Sequence, residues 1–204
     1  MAGTRGVVST SRVATELGVS PASASEMLAK LAQLRLVRHD AYRGASLTPR
    51  GAAVALEILR HHRLIETYLV QALGYSWDEV HQEADRLEHA ISEQLEERMW
   101  EALGRPEFDP HGDPIPARDG SVATRPALAL DTAAAGAVVT ISRVSDRDAQ
   151  KLRAIQGLGL TPGVELVVVA GSEWEGPVAI AVGRRRVQVP LGLARAIYVE
   201  ASDG

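Results

Sequence analysis

The stretch HQEADRLEH, residues 81–89, carries His81, Asp85, Glu88 and His89 at i, i+4, i+7 and i+8. On a helix, at about 100° per residue, these four share one stripe roughly 100° wide. Imidazole nitrogens and carboxylate oxygens on one face form a donor set for a divalent metal. The chain has no cysteine, so thiolate sites and disulfides are excluded. Nitrogen and oxygen donors alone favour Mn, Fe, Co, Ni or Zn. A second pair lies upstream: His62 and Glu66, one turn apart, fall inside an apolar stripe of Ile58, Leu59, Ile65, Leu69, Val70 and Leu73. A carboxylate buried there without a partner is costly, so both groups need one.

The bland alternative is a buried His-Glu pair on one helix and a solvated acidic face on the other. It accounts for either cluster alone. Both clusters on adjoining helices favour a metal. His61 falls off the apolar stripe and reads as a surface residue. His39 and His111 read as isolated, structural or solvent-facing.

Two helices must hold these side chains. Thr48-Pro49 suits an N-cap and first helical position, opening a helix that runs to about Leu73 before Gly74. Ser76 with Glu79 makes a capping box for a second helix ending at Gly104, with Trp77, Val80, Ala84, Leu87, Ile91 and Leu95 inward. Antiparallel packing of the two brings His62 and Glu66 towards His81.

Composition frames the rest. The 204 residues, 46% hydrophobic and 24% charged, suffice for one large or several small domains. The N-terminus lacks the apolar run of a secretory signal, and no stretch approaches a membrane span. A cytoplasmic, soluble protein with no membrane partner is expected. Residues 1–60 carry a net charge of +4, residues 61–120 of −9 and the remainder +1. The basic first part suggests a polyanion partner, and the acidic middle suggests cations.

In the basic part, Ser9 to Leu17 reads as a short helix closed by Gly18. Ser20 and Pro21 then cap and open a second, with Ala24, Met27, Leu28, Leu31 and Leu34 inward. The pair makes a helix-turn-helix, and LVRHDAYRGASLTPRG around a Tyr-Arg-Gly turn makes a winged hairpin. Small polar residues at the start of the second helix let it approach a groove floor, with Lys30 and Arg35 placed for phosphates and Arg43 at the wing tip.

RPEFDPHGDPIPARDGSVATRPA, residues 105–127, is rich in Pro, Gly and Asp and reads as a linker. The runs VVTISRV, VELVVVA, PVAIAV, RRVQVP and AIYVE that follow predict a small β-barrel. Between the first two, Asp146 and Asp148 offer further oxygen donors, against the ordinary alternative of solvent-facing loop aspartates. Enzyme readings find no support: HExxH is absent, GLGLTPG has the wrong spacing for a dinucleotide fingerprint, and no nucleophile stands with its base.

The order of winged helix, HHRLIETYL, HQEADRLEH, DPHGDPIP and glycine-cornered barrel resembles the diphtheria-toxin-repressor family of metal-dependent transcriptional regulators. The resemblance implies a multidomain α+β protein. Its parts are a winged helix-turn-helix domain (1–58), a helical dimerisation and metal-binding domain (59–118), a linker (119–130) and an SH3-like domain of the FeoA type (131–204). It implies a homodimer that binds a double-stranded DNA operator when a divalent metal is present and represses metal-uptake genes. By position, His62, Glu66 and His81 match one metal site, and Asp85, Glu88 and His89 a second. Ser20, Ala22, Ser23, Glu26 and Arg43 match DNA-facing positions. The iron-responsive members carry a cysteine where Asp85 stands, and the manganese-responsive branch a carboxylate, so the resemblance favours Mn(II), with Fe(II) as the alternative. Family members begin with a further helix that donates a ligand to the second site. This chain starts just before the motif, so that site is expected to be short of a donor.

Overall fold

The computed structural model of the protein describes residues 6–40, 43–171 and 176–202. The chain divides into two compact units, residues 1–58 and 59–204.

In the first unit, α1 (Thr10–Leu17) is opened by Ser9, whose hydroxyl accepts from the Arg12 amide, and closed by Gly18 at φ 63°. Ser20 caps α2 (Pro21–Gln33) through the Ser23 amide, with Pro21 in the first turn. β1 (Val37–Asp40) and β2 (Gly44–Leu47) pair antiparallel from Val37↔Leu47 to Asp40↔Gly44. Val8 bridges Ala45 on the other side of β2. The helix-turn-helix and wing are as expected, although Tyr42 of the wing tip lies outside the described residues. Ala14, Ala24, Leu28, Val37 and Ala45 form the small core. Met27, Leu31 and Leu34, expected inward, are exposed. Ala24 and Leu28 are the buried residues of α2, and a hairpin of two four-residue strands is too short to cover the rest of its apolar stripe.

The unit boundary falls within α3 (Pro49–Leu73), which runs as predicted. Thr48 caps it by accepting from the Gly51 amide at 3.0 Å.

In the second unit the single helix expected over residues 76–103 is two. α4 spans Val80–Leu87 and α5 spans Glu93–Ala102, with a turn at Glu88–Ala90 between them. A local signal permits the break: Ser92 acts as an N-cap, accepting from the Leu95 amide and restarting the helix. Ser76 and Glu79 do contact each other, at 2.5 Å, but in a turn ahead of α4 rather than as its capping box. Redirecting α5 buries Glu96, which accepts from Arg60 Nε at 2.5 Å and lies 3.1 Å from His61 Nε2. His61 is therefore a buried residue with a carboxylate partner, not a surface one. Leu87 and Leu95, also expected inward, are exposed, because the turn at Glu88–Ala90 interrupts the continuous stripe that their spacing requires.

The segment after α5 is not a linker along its whole length. Asp109 Oδ1 accepts from the amides of His111 and Asp113, both at 2.9 Å, and the Ile115 amide bonds the Glu107 carbonyl at 2.8 Å. Asp, Pro and Gly signalled chain reversal correctly, but here the reversal is internally bonded and packed.

The C-terminal part is a six-stranded antiparallel sheet in the order β3-β8-β4-β5-β6-β7. The strands are β3 (Leu128–Ala129), β4 (Val138–Val144), β5 (Glu165–Ala170), β6 (Val178–Val182), β7 (Arg185–Val189) and β8 (Ile197–Ala201). α6 (Ala149–Gly157) and the one-turn α7 (Leu191–Ala194) complete it. Ile141, Leu152, Ile155, Leu166, Val168, Ile180 and Ile197 form its core, joined by Trp77 from the helical part. The five predicted strands match β4 to β8, and β3 is an addition. Helical part and sheet are joined at the 109–113 turn. The Val144 amide of β4 donates to the His111 carbonyl at 2.8 Å, and a side chain at Gly112, φ 88°, would overlap the Ser142 carbonyl.

Candidate metal centre

α3 delivers His62 and Glu66 to its buried face, and α4 brings His81 opposite them. His62 Nε2 lies 3.0 Å from Glu66 Oε1 and 3.0 Å from His81 Nδ1, and His81 Nδ1 is 3.1 Å from Glu66 Oε1. Three donors separated by about 3 Å from one another have the mutual spacing of neighbouring ligands that each reach a common ion at about 2.1 Å. The first sequence-predicted trio is thus brought together.

The second set lies on the other side of the same imidazole. His62 Nδ1 is 2.7 Å from Glu88 Oε2 and 3.4 Å from Asp85 Oδ1. Glu88 follows the last residue of α4, and its side chain is 12% exposed; Asp85 is 57% exposed. His89 reaches this group only through Glu88, 3.2 Å from its Oε1, and its ring is largely exposed. The break after Leu87 removes His89 from the helical stripe on which the sequence placed it. Asp148 has another occupation, accepting from the Gln150 and Lys151 amides as the N-cap of α6. Asp146 is half-buried and acts electrostatically on Asp113.

Glu66, Asp109 and His111 form a further, fully buried group whose donor atoms lie within 4.8 Å of one another. His111 stacks on Trp77 with ring centroids 5.1 Å apart, and its Nε2 donates to the Trp77 carbonyl at 3.0 Å. A carbonyl only accepts, so Nε2 carries a proton and Nδ1 is the nitrogen turned to Glu66 Oε2, 3.8 Å away. Among the described residues, neither Nδ1 nor Oε2 has a hydrogen-bond partner. Two facing, buried and unsatisfied polar atoms are rare in proteins. His111, read from sequence as isolated, is thus part of the site. In sequence DPHGDP reads as a linker, because Pro, Gly and Asp signal chain reversal without saying what the reversal packs against; the Asp-x-His spacing beside two prolines is the one signal pointing to Asp109 and His111.

Electrostatics match a site built for a cation. Burial opposes charge on His62, but Glu66 and then Glu88 outweigh it and raise its pKa to about 9. Burial likewise opposes ionisation of Glu66, yet the facing imidazoles of His111, His62 and His81 hold its carboxyl far below the ordinary range. Glu66 raises His81 in turn. Burial and then the charge of Glu66 push Asp109 up to about 7. The imidazoles supply as protons the positive charge that these carboxylates require. The orphaned Oε2 and Nδ1, and a donor set of imidazole and carboxylate without sulfur, fit a divalent transition metal.

In the first unit, Ser20, Ala22, Ser23, Glu26, Lys30 and Arg43 are all exposed. The structure groups the first five at the start of α2 and along its outer face. Lys30 Nζ lies 2.9 Å from Glu26, an exposed pair of little energetic weight that can open at small cost. The Arg43 amide donates to Asp40 Oδ1 at 3.0 Å.

Three family models match in succession. They are the iron dependent repressor N-terminal DNA binding domain (residues 1–45), the iron dependent repressor metal binding and dimerisation domain (48–117) and the FeoA domain (128–201). The chain is 31% identical over 202 residues to the iron-dependent repressor IdeR of Mycobacterium leprae (strain TN), covering 93% of this chain and 87% of that protein. A solved manganese-dependent transcriptional repressor in complex with manganese is 42% identical, with a TM-score of 0.88, covering 97% of this chain and 92% of that one. ScaR with bound Cd2+ is 31% identical, with a TM-score of 0.80 and coverage of 98% and 94%. Among the described residues no helix is long and apolar enough to cross a membrane. The chain belongs to the diphtheria-toxin-repressor family of metal-dependent transcriptional repressors.

Proposed function

We propose that this protein is a manganese-responsive repressor that binds a double-stranded DNA operator as a homodimer. The observation that carries the metal choice is the convergence on His62 of Glu66, His81, Asp85 and Glu88, all nitrogen or oxygen donors, with a carboxylate at position 85. Oxygen donors suit the hard Mn(II) ion, whereas thiolates favour softer ions. His62, Glu66 and His81 hold one ion and Asp85, Glu88 and His89 another. Asp109 and His111 complete Glu66 from the inner side. A bound divalent cation supplies the positive charge that His62 and its neighbours otherwise carry as protons, and so ties α3, α4 and the 109–113 turn together.

Ser20, Ala22, Ser23 and Glu26 face the major groove from α2, while Lys30 and Arg43 meet phosphates. Dimerisation through the helical part is supported by Leu73, Leu87 and Leu95, which are exposed on it in the single chain. The iron-dependent names of several relatives favour a second reading, an iron-responsive repressor with the same architecture.

The test is selection of an operator from random duplex DNA, followed by fluorescence anisotropy of the selected duplex at fixed salt with Mn(II), anaerobic Fe(II) or chelator. Tight binding with Mn(II) at ion concentrations where Fe(II) is ineffective supports the manganese reading. Activation by Fe(II) alone supports the iron reading, and binding indifferent to chelator rejects both.

A further inference from the structure

Two arginines beside the metal centre belong to neither donor group. The Arg63 guanidinium donates to the Pro114 carbonyl, with its Nε 3.5 Å from Asp109 Oδ2 and a terminal nitrogen 3.4 Å from Asp113 Oδ1. One turn earlier on α3, Arg60 donates to the Pro116 carbonyl at 2.8 Å and to Glu96.

The spacing explains the pairing. In an extended segment, carbonyls two residues apart face the same way, about 6.5 Å from one another. Residues three apart on a helix are separated by about 4.5 Å along its axis, which arginine side chains can splay to cover. Proline at 114 and 116 removes the amides by which this segment could pair with a strand, so its carbonyls depend on donors from outside. The planar five-donor fork of arginine takes a carbonyl and a carboxylate in fixed, separated directions; an ammonium offers its three donors from a single point.

The segment held in this way carries Asp109 and His111. Asp109 commits Oδ1 to the amides of its own turn, which leaves Oδ2 between Arg63 and the buried group. Arg63 also faces Asp113, so it neutralises the side of the turn away from Glu66.

We propose that Arg63, assisted by Arg60, is the positioning residue of the inner donor group. By clamping the 109–116 segment onto α3 it sets Asp109 and His111 against Glu66, and so fixes how much this group adds to metal affinity. The proposal rests on the reading of these donors as a metal centre.

The test compares the full chain with Arg63→Gln and Arg63→Lys by Mn(II) calorimetry and by the visible spectrum of the Co(II)-loaded protein, which reports the ligand set. Arg63→Gln is expected to weaken Mn(II) binding about 10- to 100-fold, as loss of partners behind metal ligands does. The Co(II) bands should shift while far-UV circular dichroism stays unchanged. Arg63→Lys, which keeps the charge but replaces the planar fork with three donors on one nitrogen, should fall between. Unchanged affinity and spectrum in Arg63→Gln overturn the proposal. If that variant does not fold, Asp113→Asn releases one arm of the fork; a smaller weakening supports the clamp and none overturns it. Failure of the unsubstituted chain to bind either ion would instead remove the metal reading, and the clamp with it.

Discussion

His62 and Glu88 stand 2.7 Å apart although one lies mid-way along α3 and the other just past the end of α4. The second nitrogen of the same imidazole faces Glu66 at 3.0 Å. One ring therefore divides the donors into two sets and belongs to both. A change at either set reaches the other through a single side chain.

His62→Ala should abolish Mn(II)-dependent operator binding and weaken Mn(II) binding by about 100-fold or more, since ligand loss exceeds the 10- to 100-fold typical of outer partners. The fold should survive, because Glu66 keeps His81 at 3.1 Å and can take water or a proton. Calorimetry and circular dichroism check both halves. Metal activation equal to that of the unsubstituted chain would reject the site.

Asp85→Cys should move preference from Mn(II) towards Fe(II), Co(II) or Zn(II), because a thiolate replaces a carboxylate beside His62 and Glu88. Competition titrations of the two ions in the same protein read the shift. The same Mn(II)-to-Co(II) ratio in both proteins means that Asp85 is not a ligand.

Without metal, stability should fall as pH rises. His62 has its pKa raised to about 9 by Glu66 and Glu88 against the opposition of burial, so its contribution is complete below about 6.5 and is lost as pH approaches 9. Asp109, raised by burial and by Glu66 to about 7, has the same sign: its neutral form favours the fold, and ionisation between about 4 and 7 removes that contribution. Mn(II) displaces the His62 proton, so its affinity should rise with pH up to about 9. Thermal melts at pH 6 and 9, with chelator and with Mn(II), should show a larger metal-induced gain in Tm at pH 9. An equal gain would contradict these assignments.

Gly112→Ala should open the junction between the 109–113 turn and β4. Its φ of 88° costs an L-residue about 1–3 kcal/mol, and the new methyl meets the Ser142 carbonyl. Faster proteolysis within residues 118–127 and a lower Tm are the expected readouts. Unaltered cleavage and Tm would show that the turn accommodates a side chain by moving without consequence.

Local signals in the chain were read correctly where one short-range interaction decides. Ser9, Ser20 and Thr48 cap helices because a hydroxyl next to free amides needs no distant partner. The strands β4 to β8 follow from runs of branched residues between Gly and Pro. His62, Glu66 and His81 were legible because carboxylates and imidazoles one turn apart on an apolar face cannot stay unpartnered.

What the sequence left open depended on which faces meet. Ser92 is a good N-cap and Glu88-His89 are acceptable helix residues, so periodicity alone cannot choose between one helix and two; burying Glu96 against Arg60 and His61 selects the break. That choice withdraws His89 from the stripe and exposes Leu87 and Leu95. Asp109 and His111 were hidden for the same reason. Pro, Gly and Asp specify a turn, but only contacts with residues more than 30 positions away, Trp77, Arg63 and Val144 among them, decide whether a turn hangs in solvent or closes over Glu66. The sequence by itself determined the capped helices α1 to α3, the strands β4 to β8 and the need of His62 and Glu66 for partners, which are set by interactions within a turn or two. Tertiary structure alone decided how many donors converge, because convergence is a property of packed faces and not of spacing along the chain.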